Sequence, residues 1–435
     1  MFFLDFDRFG TQTAFIENDK VLNYEALEKA VTLFCNKLPQ KKQLIAFIMH
    51  RNIDSVIAYL ACLRMGHSVL MIDPSRTQAQ KERLFDIYKP NFIYDDFLKP
   101  YHKKQHTIFK QLSLLLPTSG STGSNKYVRL SKENLQTNCE SITAYLRLQK
   151  SDIGITTLPL YYSYGLSVLH THLQVGASMV LGEFSLTQKE FWDAFTQCRI
   201  TNFNGVPYHY EILKKLRFQS KKHPSLRFLT QAGGKLHSDM VKHFAKDATE
   251  NKKLFFVMYG QTEATARISF LPIENVLKKP SSIGIAIPNT KLTLENNELV
   301  FYGKNVMLGY ANDYTDLTKE DELHGKLYTG DLGYQDNEGY FYITGRAKRF
   351  IKLFGNRINL DAIEQRLKQT FSEVVITGED DKLFVWMLHD HTKEIAKILK
   401  NEFLLHHSGF TCKVCKEFFY TPSGKVDYKR FEELI

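Results

Sequence analysis

Apolar and polar positions alternate in short blocks over the first hundred residues. Thr13-Ala14-Phe15-Ile16 and Val21-Leu22 flank Asn18-Asp19, the pattern of a hairpin. From Asn23-Tyr24-Glu25 the spacing becomes helical and runs to Leu38. Leu44 to Met49 is an unbroken apolar run and reads as a buried strand. A helix from Ile53 to Met65 and a strand from Ser68 to Ile72 complete a βαβ unit, which Asp73-Pro74 ends. A helix over Gln78 to Tyr88 and a strand at Phe92-Ile93-Tyr94 continue the alternation. Further on, Leu112 to Leu116 reads as a strand. Ser131 is the N-cap candidate of a helix to Leu146, with Asn134 at its third position. Thr201 to Pro207 reads as a strand entering a helix, and Phe255 to Met258 as a strand. The pattern predicts an α/β fold of doubly wound layers with a β-rich part. The last ninety residues, with a helix over Asp361 to Gln369, read as a separate, small, mobile α+β domain. The expected division is 1–345 and 346–435.

Composition narrows this picture only a little. The chain has 435 residues, is 43% hydrophobic and 24% charged, and allows two or three domains with a large core. The most membrane-like stretch, Val56 to Leu70, is interrupted by Arg64 and His67 and reads as a buried helix running into a strand. Met1-Phe2-Phe3-Leu4-Asp5 lacks the basic start and apolar core of a signal peptide, so a cytoplasmic location is expected. The net charge of +10 is spread over pairs such as Lys41-Lys42 and Lys252-Lys253. A nucleic-acid binder would gather it on one stripe, so no nucleic-acid partner is expected. Six scattered cysteines suit a reducing compartment. Cys412-Lys413-Val414-Cys415 has no second Cys-x-x-Cys, and its surroundings read as a strand leading into a turn rather than a zinc site.

The chemistry gathers first at Pro117-Thr118-Ser119-Gly120-Ser121-Thr122-Gly123-Ser124-Asn125-Lys126. Glycines let backbone N–H groups close on an anion, the hydroxyls add donors, and Lys126 adds charge. The spacing is not that of a Walker loop. A flexible Gly/Ser linker is the alternative. The second candidate is Tyr259-Gly260-Gln261-Thr262-Glu263, placed at the end of an apolar strand, where ligands of α/β sheets bind.

These two stretches, with Tyr328-Thr329-Gly330-Asp331, Gly345-Arg346 and Gly424-Lys425, occur in the order of five motifs of the adenylate-forming superfamily, and the chain resembles that family from about residue 10 to its end. The superfamily includes acyl-CoA and aryl-CoA synthetases, luciferases and the adenylation domains of peptide synthetases. The chain departs from the pattern at Asn125, where proline is usual, at Tyr162, where many members have histidine, and at Ile343, where several have an aromatic residue.

The resemblance implies a set of roles. Thr118, Ser119, Gly120, Ser121, Thr122, Gly123 and Lys126 would wrap ATP phosphates. Gly233 and Gly234 would let backbone approach the adenine. Tyr259, Gly260 and Gln261 would line the nucleotide, Thr262 would contact the α-phosphate, and Glu263 would hold Mg²⁺. Asp331 would accept from the ribose hydroxyls near Arg346, in a Thr-Gly-Asp turn, and Ile343 would flank the adenine. Tyr162, Gly165 and Val206 would line the acyl pocket, whose aromatic and aliphatic surroundings suggest an apolar tail. Core packing is the alternative for the tyrosines. Lys425 would be the catalytic lysine, Lys348 the hinge, and the loop around Gly355 the thiol approach.

The implied reaction is ATP-dependent activation of a small-molecule carboxylic acid, followed by transfer to a thiol. CoA is the first candidate acceptor, the pantetheine of a free acyl-carrier protein the second, and an amine or oxygen acceptor the third. No carrier-protein segment follows Lys425, so a free acceptor is expected. No acid lies between Asp152 and Glu183 to pair with a substrate ammonium, which argues against an amino acid.

Overall fold

A computed structural model describes the 435 residues apart from 105, 119–125, 347, 348, 355, 372, 380 and 423, and apart from the side chains of 350, 356 and 357. The chain packs into two compact units. The first comprises 1–280, 285–292 and 301–327; the second comprises 281–284, 293–300 and 328–435.

The first unit holds three sheets. A seven-stranded sheet runs in the order Gly309–Ala311, Tyr127–Ser131, Leu112–Pro117, Ser68–Ile72, Leu44–Ile48, Phe92–Asp95, Phe97–Pro100. Its four inner strands from Leu112–Pro117 to Phe92–Asp95 are parallel. A five-stranded sheet runs Asn202–Gly205, Phe228–Gln231, Leu254–Tyr259, Ser269–Leu271, Ile285–Ala286, with the first three parallel. A four-stranded sheet carries the Thr13–Glu17/Lys20–Asn23 hairpin, whose turn puts Asn18 at φ 52°. The expected α/β class and its doubly wound layers are found.

Local signals set many helix ends. The helix Ile53–Met65 starts where the Asn52 side chain accepts from Ser55 N–H and stops at Gly66, φ 81°. The helix Lys132–Leu146 starts on a reciprocal pair: Asn134 N–H donates to Ser131 Oγ (3.0 Å) and Ser131 N–H to Asn134 Oδ1 (2.8 Å). The Asn134 amide also donates to the Lys304 and Val306 carbonyls, at 2.7 and 2.9 Å. One helix is shorter than its pattern. The expected helix to Leu38 ends at Cys35, and residues 36–38 leave through tight turn bonds to the Phe34 and Cys35 carbonyls. Pro39 disfavours helical backbone at the residue before it.

The second unit carries a four-stranded sheet in the order Lys291–Glu295, Glu298–Tyr302, Lys326–Gln335, Phe341–Arg346. It also has the hairpin Phe350–Leu353/Asn356–Asn359 and a three-stranded sheet of Val374–Glu379, Lys382–Met387 and Phe410–Val414. Leu360–Lys368 and Thr392–Phe403 pack Ile363, Leu367, Ile395 and Leu399 onto Val374, Leu383 and Val385, a core of its own. Cys412 lies in the strand Phe410–Val414, opposite Val385. The Thr-Gly-Asp segment is a correction: it lies inside the strand Lys326–Gln335, not in a turn. Asp331 pairs with Arg346 across the ladder, and only Gly330, at φ 73°, departs from extended geometry. Among the described residues no helix is long and apolar enough to cross a membrane.

Candidate active site

The strand Leu112–Pro117 is buried along nearly its whole length, and Tyr127–Ser131 returns antiparallel beside it with Tyr127 opposite Pro117. The two strands therefore end side by side at Pro117 and Tyr127. Thr118 follows the first end and Lys126 precedes the second. Ser119, Gly120, Ser121, Thr122 and Gly123 lie outside the described residues, as do Lys348 and Gly355.

Lys126 is tied to the second motif through a residue that no motif named. Its ammonium sits 3.4 Å from the centroid of the Tyr310 ring, and the Tyr310 hydroxyl donates to Glu263 Oε1 at 3.0 Å. Burial, with the Glu263 charge beside it, pushes the Tyr310 phenol up, so it stays a neutral donor. Tyr310 reaches this position because Gly309–Ala311 pairs with Tyr127–Ser131, Tyr310 opposite Val128. Arg129 fastens the same edge. Fully buried, it donates to the carbonyls of Tyr310 (3.1 Å), Leu308 (3.0 Å) and Glu320 (3.1 Å), and pairs with Glu322.

The three parallel strands of the five-stranded sheet end together: Gly205 lies beside Gln231, and Gln231 beside Val257. Their ends carry Val206, the Gly233-Gly234 turn and Tyr259 to Glu263. Gly233 takes φ 83°, and Gly234 leaves room for the Pro207 ring, which a Cβ would meet at 3.2 Å. Gly260 has a sharper reason. A Cβ there would collide with the Ala266 carbonyl oxygen, because the chain after Glu263 folds back on it. That fold-back is pinned. Met307 N–H donates to the Glu263 carbonyl (2.9 Å), and Asn305 Nδ2 donates to the carbonyls of Ala264 (2.9 Å) and Arg267 (3.0 Å). The Thr265 hydroxyl donates to Asn305 O at 2.6 Å and holds this β-branched residue at φ 65°.

The acyl candidates join this group from the helix Ser163–Val175. Its first hydroxyl, Ser163 Oγ, lies 3.2 Å from Thr262 Oγ1. Tyr162 is buried and edge-on to Tyr164, ring centroids 6.4 Å apart, and Tyr164 Oη meets Thr230 Oγ1 at 2.7 Å. Val206 is fully buried as the N-cap of Pro207–Lys215. Gly165 packs against backbone: a Cβ there would strike the Pro159 carbonyl oxygen.

In the second unit, Asp331 and Arg346 are brought together: Arg346 Nε donates to Asp331 Oδ1 at 3.0 Å, with Asp331 5% and Arg346 64% exposed. Ile343 is half-buried on the same strand as Arg346 and pairs with Gly333. Arg346 N–H donates to Asp361 Oδ2 (2.9 Å), and Arg349 reaches Asp361 and Glu364. Burial alone would raise the Glu364 carboxyl, but Lys368 and Arg349 beside it hold it below the ordinary carboxylate range. Lys425 is half-buried on a tight turn. Thr421 N–H donates to Lys425 O (2.7 Å), Lys425 N–H to Thr421 Oγ1 (3.2 Å), and Gly424 takes φ 74°.

Glu263 offers a carboxylate and its neighbour in sequence, Thr262, a hydroxyl, oxygen donors of the kind that suit a hard cation such as Mg²⁺. Tyr310, Ser163 and Arg267 were not singled out in the sequence. Tyr310 meets Lys126 and Glu263, Ser163 meets Thr262 and Arg267 meets Tyr164, all distant in sequence, and no local pattern signals these contacts.

Residues 99–311 match the family model described as AMP-binding enzyme. An oxalate–CoA ligase of Arabidopsis thaliana is 32% identical over 57% of this chain; the match spans 50% of that protein, so the chain covers half of its length. A D-alanine–D-alanyl carrier protein ligase of Bacillus licheniformis is 23% identical over 97% of this chain and 96% of that protein. Among solved structures, o-succinylbenzoate CoA synthetase from Bacillus subtilis, in complex with its acyl-adenylate intermediate, shares the fold with a TM-score of 0.80 at 18% identity, covering 99% of this chain and 97% of that one.

Proposed function

We propose that this chain, which carries an AMP-binding family domain over residues 99–311, is an AMP-forming acid–thiol ligase. A carboxylic acid attacks the α-phosphate of ATP, giving acyl-AMP and pyrophosphate. A thiol, that of CoA, then takes the acyl group and releases AMP.

The observation that supports this reading most is the Lys126–Tyr310–Glu263 link. It joins a phosphate-loop cation to a candidate metal-binding carboxylate beside three aligned strand ends. In this reading the loop and Lys126 hold the phosphates, Thr262 holds the α-phosphate, and Tyr259, Gly233 and Gly234 frame the adenine. Mg²⁺ at Glu263 would neutralise charge on the departing pyrophosphate. Asp331 exchanges its Arg346 partner, wholly or in part, for the ribose hydroxyls. Lys425 places a point charge between the carboxylate and the α-phosphate in the first step. Lys348 is the joint, and the loop around Gly355 serves the second step.

The test is a pyrophosphate-release screen over carboxylic acids, with CoA and holo carrier protein offered separately. Release that depends on one acid, followed by thioester with CoA, is expected. Absence of release with every acid, together with salt-dependent binding to DNA or RNA, overturns the reading.

Transfer to a free acyl-carrier protein is the second reading. It is favoured by the near full-length match to a carrier-protein ligase and by the net charge of +10, which suits an acidic carrier. That relative activates D-alanine, yet the absence of an acid between Asp152 and Glu183 disfavours an amino acid here. Amino-acid-dependent pyrophosphate exchange as fast as with the best simple acid would reverse that conclusion.

A further inference from the structure

The helix Leu360–Lys368 grips two distant segments on one face. At Asp361 it holds the linker: Arg346 N–H donates to Asp361 Oδ2 at 2.9 Å, and the Arg349 guanidinium pairs with the same carboxylate. Glu364 lies one turn further along the same face. There the Tyr428 hydroxyl donates to Glu364 Oε1 at 2.8 Å, across 64 positions of sequence. Arg349 closes the circuit. Its guanidinium carbon lies 4.0 Å from the centroid of the Tyr428 ring, and its Nη2 lies 3.4 Å from Glu364 Oε2 and donates to the Ile376 carbonyl. In sequence Arg349 directly follows Lys348, the residue read as the joint.

Tyr428 is joined just as closely to the turn that carries Lys425. Tyr420 and Val426 form a bridge across that turn, and Asp427 N–H donates to the Phe419 carbonyl at 2.8 Å. The Asp427 side chain then accepts from Arg430 N–H and starts the short helix Tyr428–Glu432. Val426 and Tyr428 pack on the cluster of Val375, Phe384, Trp386 and Phe431. Glu364 itself is 5% exposed, and it also accepts from Lys368 Nζ at 2.6 Å and from Ile376 N–H at 3.0 Å. A buried carboxylate bonded from so many sides holds its partners in place. Burial, with the Glu364 charge beside it, pushes the Tyr428 phenol well up, so it stays a neutral donor. The turn is light, and its polar tie to the linker runs through this one hydroxyl.

We infer that Tyr428 is a positioning residue for adenylation: through Glu364 it ties the Lys425 turn to the linker, so that a movement at the joint carries the lysine with it. The inference rests on the ligase reading above and adds to that site a residue which touches no substrate. Its action is confined to the first step, where the Lys425 charge is used. The hairpin Phe350–Leu353/Asn356–Asn359, read as serving the second step, is joined to the linker by backbone instead: Leu360 N–H donates to the Arg349 carbonyl at 3.0 Å. A residue that merely packed the small core would matter to both steps alike.

The experiment is Tyr428→Phe, which keeps the ring under Arg349 and leaves Lys368 and Ile376 bonded to Glu364. It uses the acid that releases pyrophosphate fastest in the screen. The kcat of pyrophosphate release should fall about tenfold, with KM for ATP and for the acid unchanged. Thioester formation from supplied acyl-AMP and thiol should stay at the wild-type rate. In a Lys425→Ala background the same substitution should cost nothing further, because the group it positions is gone. Wild-type adenylation by Tyr428→Phe overturns the inference and leaves the ligase reading intact. So does an equal loss in both half-reactions, or a further loss on top of Lys425→Ala. A Tyr428→Phe protein that circular dichroism shows to be unfolded makes the hydroxyl structural and overturns the inference as well. Absence of release by the wild-type enzyme with every acid sinks the ligase reading itself, and this inference with it.

Discussion

The candidate residues of the two units are held in opposite ways. In the first unit they are over-determined. Gly260 and Gly165 sit where a single added carbon strikes backbone, and Lys126, Tyr310 and Glu263 form one chain of contacts. In the second unit Lys425 stands half-buried on a turn whose hydrogen bonds join Thr421 to Gly424 and Lys425, and Asp331 is already engaged by the mostly exposed Arg346. Residues that must hold a polyphosphate profit from a rigid frame. Residues used in one step of two profit from contacts that can be exchanged. The difference supports a division of labour between a fixed binding unit and a unit whose contribution changes during the reaction.

The largest expected effect tests that division. Lys425→Ala should lose roughly a hundred- to thousandfold in pyrophosphate formation while still converting supplied acyl-AMP and thiol to thioester. Equal loss in both assays, with the fold intact, would place Lys425 in the fixed machinery instead. Glu263→Gln is nearly isosteric and should slow adenylation about a hundredfold at saturating Mg²⁺; near-wild-type rates would remove Glu263 from the mechanism. Tyr310→Phe keeps the ring under Lys126 and deletes only the hydrogen bond to Glu263. It should cost about tenfold in adenylation, and the apparent affinity for Mg²⁺ should weaken with it. A loss confined to melting temperature would make Tyr310 a packing residue.

The smallest effect separates the units by acid. Burial alone would raise the Glu28 carboxyl, but its hydrogen bonds from Arg64 and Phe6 N–H hold it below the ordinary value of 4.5. Its contribution to stability is complete above that value and is lost as pH falls through the lower folded one. In the second unit, Glu364 is likewise held down, but burial raises Asp361 despite Arg349 beside it, and the two oppose each other. Below about pH 4.5 the first unit should therefore lose the part of its stability that Glu28 contributes. Glu28→Gln should flatten its acid limb by about 2 °C in calorimetry. Identical acid limbs in wild type and variant would refute the assignment.

Legibility in the sequence followed the range of the interactions. Asn52, Thr77 and Ser131 cap the helices they precede, so the bounds at Ile53, Gln78 and Lys132 could be read locally. The strand character of Thr329 to Asp331 could not, because it depends on pairing with Phe341–Arg346. The Gly/Ser-rich stretch before Lys126 and the Tyr259–Glu263 strand end were legible as candidate chemistry. What joins them was not: Tyr310 is an ordinary aromatic in an apolar stretch until the Gly309–Ala311 strand docks. Arg267 reads as a lone surface-type charge until Tyr164 and Met258 enclose it.

The strand Gly309–Ala311 has a further consequence for how the protein is made. Until residue 311 has left the ribosome, Tyr127–Ser131 is the outermost strand of its sheet, an open row of backbone donors and acceptors. Arg129 lies in the middle of that row, and the carbonyls of Leu308, Tyr310, Lys319 and Glu320 and the Glu322 carboxylate that it bonds arrive with residues 308–322. During synthesis it is a hydrated charge on a naked edge, which discourages one nascent chain from pairing with another. Once the late segment arrives, the same guanidinium becomes its anchor. The residue whose charge suits the open edge of the half-made sheet is thus the one that anchors the strand carrying Tyr310.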